Sequence, residues 1–191
     1  VAASVEEDFL AEEVAEVGKL KYLNFCILKK HLFLLCFPIL FILFTSCNLF
    51  SQVDVFPKPI GYVNDFENVF TKEENNELEL LISDFEVKTS NEIAIVSIDS
   101  IGNYDDFDKF ALDLSKKWGV GKKNKDNGLT IVFSKKLRRI RINTGIQTEK
   151  ILTNEICKKI IDEKIIPEFK KDNYFVGVKN SLLELIQIWE K

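Results

Sequence analysis

Six consecutive residues without a charge, I-A-I-V-S-I from Ile93 to Ile98, lie between Asn91-Glu92 and Asp99. A strand that buries one face alternates apolar with polar; an unbroken run of strand length suits a strand covered on both sides. This stretch therefore asks for helices above and below a sheet, and the chain has stripes to supply them. Thr71 with Glu74 three residues on has the form of a capping box, and Leu78, Leu81, Ile82 and Phe85 follow at helical spacing. Asp105 and Asp106 precede a second stripe, Phe107, Phe110, Ala111, Leu114 and Trp118, where acidic residues suit the positive end of the helix dipole. Thr153 caps a third helix with Ile156, Ile160 and Ile161 that is expected to stop before Pro167. Asp172 precedes a fourth, with Phe175, Val178, Leu182, Leu185, Ile186 and Trp189 on one stripe. L-T-I-V-F at Leu129–Phe133 reads as another buried strand, and R-R-I-R-I-N at Arg138–Asn143 as its hairpin partner, with Ile140 and Ile142 inward and Arg139 and Arg141 on the other face. The expected fold class is α/β, a three-layer α/β/α arrangement with a small mixed central sheet of about four strands.

That domain spans residues 60–191, and what precedes it has a different grammar. Residues 1–31 form an acidic extension followed by a basic n-region with Lys19, Lys21, Lys29 and Lys30. Residues 32–47 then run apolar from Leu32 to Phe44 and end at Thr45-Ser46-Cys47, which is the order of an export signal closing on a bacterial lipobox. In that reading Cys47 carries the lipid; Phe44 stands where such signals usually have leucine. The rival reading is a retained membrane helix, because Leu32–Phe50 is 19 residues long and about 20 suffice to span a bilayer. Either anchor places the domain in the cell envelope on the extracytoplasmic side, with residues 48–59 as the tether.

Composition excludes more chemistry than it assigns. A formal net charge of -4 gives no global reason to bind nucleic acid. Three of the four cysteines crowd into the first quarter of the chain, so they do not frame a disulfide scaffold. The single histidine, His31, precedes the candidate cleavage site, which leaves the domain without a histidine base or zinc ligand. Cys157 is followed six residues later by Glu163 rather than arginine and reads as a helical packing residue. Asp106-Phe107-Asp108 opens a helix and reads as capping.

What remains is a loop and a set of oxygens. W-G-V-G-K-K-N-K-D-N-G, Trp118–Gly128, joins the second helix to the second buried strand. Its glycines and Lys122, Lys123 and Lys125 could receive an anion, with Arg141 on the outer face of the hairpin as a clamp, although solvated loop charge explains the lysines as well. Asp65, Glu92, Asp126 and Asp99 stand at loop or strand-end positions, where carboxylates gathered at one sheet edge would suit a hard cation such as Ca²⁺ or Mg²⁺. A plain turn before a strand also explains Asp126-Asn127-Gly128.

Y-V-N-D-F at 62–66, the strand after Glu92, the Trp118–Gly128 loop, R-I-N-T-G at 141–145, Glu149 with Leu152, Pro167 with Phe169 and Asn173-Tyr174 with Gly177 occur in an order that resembles the TPM domain, over residues 60–191. The family often has G-x-G where this chain has Gly145-Ile146-Gln147, and an aspartate where it has Asn154. The resemblance implies a divalent-ion site built with Asp65 and Asp126, and two functions of different kind. One is a membrane-anchored module that binds other membrane or envelope proteins, its loop ordered by a Ca²⁺-like ion. The other is a metal-assisted phosphatase acting on phosphomonoesters.

Overall fold

A computed structural model of the chain describes residues 56–190; the extension, the apolar run, Cys47 and most of the tether lie outside the described residues. The order of elements is β1 (Val63–Asp65), α1 (Lys72–Thr89), β2 (Glu92–Ser97), α2 (Phe107–Trp118), β3 (Gly128–Ser134), β4 (Arg139–Thr144), a short α3 (Ile146–Glu149), α4 (Asn154–Ile160), a π-helical turn (Ile161–Ile165), α5 (Ile166–Phe169) and α6 (Tyr174–Trp189). The strands lie in the order β1-β2-β3-β4. β1, β2 and β3 are parallel, and β4 returns antiparallel to β3 as the hairpin pattern predicts. β1 has three residues, too few for a period to show in the sequence.

Alternation along the strands sorts the core into two layers. Ile93, Ile95, Leu129, Ile131, Phe133 and Ile142 face α1, α4, the π turn and α6. Val96 and Val132 face α2, whose Phe107, Phe110, Ala111 and Leu114 close the other side. Every residue of β3 is buried, which accounts for its unbroken apolar run. The β1–α1–β2 and β2–α2–β3 connections step the same way across the sheet yet lie on opposite faces. One of them therefore departs from the right-handed preference of parallel crossovers.

The capping box at Thr71 forms, with Glu74 Oε2 accepting from Thr71 N at 2.8 Å and Thr71 Oγ1 accepting from Glu74 N at 3.2 Å. The helix begun at Thr153 does not stop before Pro167. Its π turn lets Ile166 N–H reach back to Ile161 carbonyl, and the wider turn carries the chain past a residue with no N–H to give, so Pro167 sits near the start of α5. Among the described residues no helix is long and apolar enough to cross a membrane.

Candidate functional site

Strand directions define two rims. Register sets Asp65 beside Ser97 and Ser97 beside Phe133 at the carboxyl ends of the parallel strands. Glu92 beside Gly128, and Leu129 beside Thr144, mark the opposite, amino-end rim. The Trp118–Gly128 loop belongs to the amino-end rim.

Three close backbone approaches fix that loop. A Cβ on Gly128 would lie 2.1 Å from Val120 O, one on Gly121 would lie 2.7 Å from Gly128 N, and one on Gly145 would lie 2.1 Å from Asp126 O. Gly121 also adopts φ +109, a region that favours glycine. Asn127 ties the loop to the sheet from within: it is buried, its Oδ1 accepts from Lys122 N at 2.9 Å, and its Nδ2 donates to Ser90 O at 2.8 Å and to Asn91 Oδ1 at 3.0 Å. Glu92 Oε2 accepts from Gly121 N at 2.8 Å, so this carboxylate serves as a backbone anchor. Trp118 holds the start of the loop, donating from Nε1 to Pro57 O at 2.9 Å.

The locked loop walls a cleft of about 540 Å³ against the end of α2 and the first residues of β3. Thr130, Asn143 and Ser115 line it from below, with Asn143 Nδ2 donating to Ser115 Oγ at 3.0 Å. Lys116, Lys122, Lys123 and Asp126 stand around it. Lys122 Nζ reaches Glu86 at 3.7 Å, while Lys123 and Asp126 are exposed. Arg141 is not part of the cleft: its Nε donates to Asn143 Oδ1 at 2.8 Å and its guanidinium lies 3.3 Å from Asp108, which occupies the fork expected to clamp an anion. The sequence does not mark Thr130, Asn143 and Asn127 as buried polar residues of a site: D-N-G reads as a plain turn, and Asn143 and Thr130 read as strand residues.

The expected carboxylate set divides between the rims. Asp65 Oδ1 and Oδ2 accept from Val69 N at 3.1 Å and Phe70 N at 2.8 Å, and Ser97 Oγ donates to Oδ1 as well, so Asp65 organises the turn after β1. Asp99 pairs with Lys136 at 3.7 Å, beyond the carboxyl end of β2. Glu92 and Asp126 are at the other rim, and five steps of strand at about 3.3 Å each put roughly 16 Å between Asp65 and that end. Asp65 and Asp126 therefore do not share an ion. Among the described residues no three histidine, cysteine or carboxylate side chains gather as a metal site. Cys157 is 5% exposed, and burial followed by the Glu149 charge pushes its thiol up to about 11, which keeps it protonated and unreactive.

A sequence profile of the TPM domain matches residues 63–188, covering β1 through α6. The chain belongs to the TPM domain family. Solved structures similar to this TPM domain include the N-terminal domain of a P. gingivalis protein, 28% identical, with a TM-score of 0.61 over 66% of this chain and 80% of that one. The BA42 protein from Bizionia argentinensis is 19% identical, with a TM-score of 0.56 over 65% of this chain and 83% of that one. The N-terminal domain of cg2496 protein from Corynebacterium glutamicum is 13% identical, with a TM-score of 0.51 over 70% of this chain and 82% of that one. The last two share the fold. No curated protein matches the chain.

Proposed function

We propose that this TPM domain is a binding module, held outside the cytoplasmic membrane by its N-terminal segment, whose ligand site is the cleft under the Gly119–Gly128 loop. The observation that carries the reading is the close approach at Gly121, Gly128 and Gly145, which builds a rigid wall around an open cleft. Preorganised backbone of this kind lowers the ordering cost of binding. Lys116, Lys122 and Lys123 outnumber Asp126 there, so the complementary ligand is anionic: a carboxylate- or phosphate-bearing group of an envelope partner. Catalysis has less support. Among the described residues Asp126, the carboxylate that lines the cleft, is hydrogen-bonded to no hydroxyl or thiol that it would activate, and Glu92 beside the loop is engaged by the Gly121 amide.

The test uses the 191-residue chain with pyrophosphate as anionic probe and p-nitrophenyl phosphate as substrate. Pyrophosphate is expected to raise the melting temperature of the wild type and not of the double variant Lys122→Glu, Lys123→Glu, with no turnover of p-nitrophenyl phosphate in Mg²⁺ or Ca²⁺. Divalent-dependent turnover abolished by Asp126→Asn would overturn the binding reading in favour of a metal-assisted phosphatase. The anchor is tested apart, by intact mass after membrane extraction: diacylglyceryl on Cys47 supports the lipoprotein form, and an unmodified chain retaining Leu32–Phe50 supports the membrane helix.

A further inference from the structure

A second cleft of about 540 Å³ opens at the carboxyl-end rim, between the β3–β4 turn and the segment joining α5 to α6. Its inner walls are apolar: Ile140, Ile166 and Phe169 are half-buried there, and the Tyr174 ring stands 4.6 Å from the Phe169 ring. Its mouth is cationic, with Lys135, Arg138 and Lys170 set against Asp172. Arg138 and Lys170 make no ion pair among the described residues. Burial, with the charges of Asp172 and Glu67, raises the Tyr174 phenol pKa, and Arg138 lies close enough to oppose them in part. Arg139 differs, because its guanidinium turns to Asp108 at 3.8 Å. Lys135 lies 5.0 Å over the Tyr174 ring and 3.9 Å from Asp172, whose side chain is 79% exposed. So exposed a pair contributes little, and another carboxylate can replace Asp172 at small cost. The turn that carries these cations is already set: Glu67 accepts from Lys135 N at 2.8 Å and Lys136 N at 3.1 Å, and Ser134 Oγ accepts from Leu137 N at 3.0 Å.

We propose that this cleft docks an acidic peptide segment of a partner protein, one in which carboxylates flank a bulky apolar side chain. The apolar side chain covers Ile140, Ile166 and Phe169, and the carboxylates meet Arg138, Lys170 and Lys135. The guanidinium of Arg138 supplies a fork that matches a carboxylate. A small anion would leave the apolar walls wet, and a flat membrane surface would not enter the cleft; a peptide satisfies walls and mouth together. The site lies at the opposite end of the sheet from the Gly119–Gly128 loop, so each cleft can be disabled without touching the other.

The experiment is fluorescence anisotropy of a labelled peptide, E-E-F-L-E-E, titrated with the 191-residue chain. Saturable binding is expected, weakened roughly tenfold by Lys170→Glu and by Arg138→Gln, and unchanged by Lys88→Glu, an exposed lysine that lines neither cleft. The peptide E-E-S-S-E-E is expected to bind roughly tenfold more weakly than the apolar one. Lys170 is exposed, so its substitution leaves the fold in place and keeps the test decisive should Arg138→Gln unfold. Failure to saturate, equal binding by Lys170→Glu, or equal affinity for the serine peptide would overturn the proposal. Co-sedimentation with anionic lipid vesicles that Lys170→Glu weakens, in place of peptide binding, would also overturn it, and assign the patch to a membrane surface.

Discussion

At Gly128 the backbone leaves no room for a methyl group. The atoms that a Cβ would strike belong to the Val120 carbonyl, which cannot rotate away as a side-chain end could. Gly128→Ala is expected to cost about 3 kcal/mol in urea unfolding and to disorder the loop, the usual consequence of overpacking where the neighbour is fixed. Thr148 presents the opposite case. It is 1% exposed and its Oγ1 finds no hydrogen-bond partner among the described residues, so the hydroxyl is desolvated without compensation. Thr148→Val keeps the shape and removes the orphan, and a gain of about 1 kcal/mol in the same unfolding measurement is expected. Cys157 gives a pH dependence with a definite sign. The folded thiol holds its proton up to about 11, while the reference value is 9.0, so the unfolded chain binds fewer protons between those values. Stability is then complete below pH 9.0 and falls as pH rises toward about 11. Subtracting the curve of Cys157→Ala isolates this contribution from the other cysteines; a wild-type curve no steeper than the variant's in that window would contradict it.

Elements were legible in the sequence where their signals were local and redundant. Thr71 and Glu74 satisfy one another's donors at the start of α1, and Thr71→Ala is expected to lower stability by about 1 kcal/mol, read as a shift in the urea midpoint at constant slope. The β3–β4 pairing was legible for a similar reason. A one-residue slip would turn Ile140 and Ile142 outward and bring Arg139 and Arg141 into the core, so pattern alone specifies the register. Pro167 misled because proline ordinarily ends an α-helix; the π turn before it changes the hydrogen-bond step, and no periodicity in the Ile161–Ile165 stretch announces that change. β1 was hidden for want of length, and so was α3, four residues long.

The molecule as a whole divides what the sequence placed side by side. Nothing in the run V-N-D or in K-D-N-G says which end of a sheet it occupies, because side-chain pattern reports which face a residue takes and not which way its strand points. The direction of β1 and β3 sends Asp65 to one rim and Asp126 to the other, so a donor set that looked sufficient on paper becomes two unrelated carboxylates. Asp65 then has a structural role, accepting from Val69 N, Phe70 N and the Ser97 hydroxyl, while Asp126 is exposed beside the amino-end cleft. These roles separate in one set of melting curves. Asp65→Ala strands two backbone donors and is expected to lower stability by about 2 kcal/mol in Ca²⁺ and in chelator alike. Asp126→Ala is expected to leave stability near wild type in both. Millimolar Ca²⁺ is expected to stabilise the wild-type chain no more than an equal ionic strength of NaCl, since Asp65 and Asp126, at opposite rims, do not converge on one ion. A Ca²⁺-specific rise in melting temperature, abolished by either substitution, would restore the shared site and require the two rims to meet in a conformation other than this one.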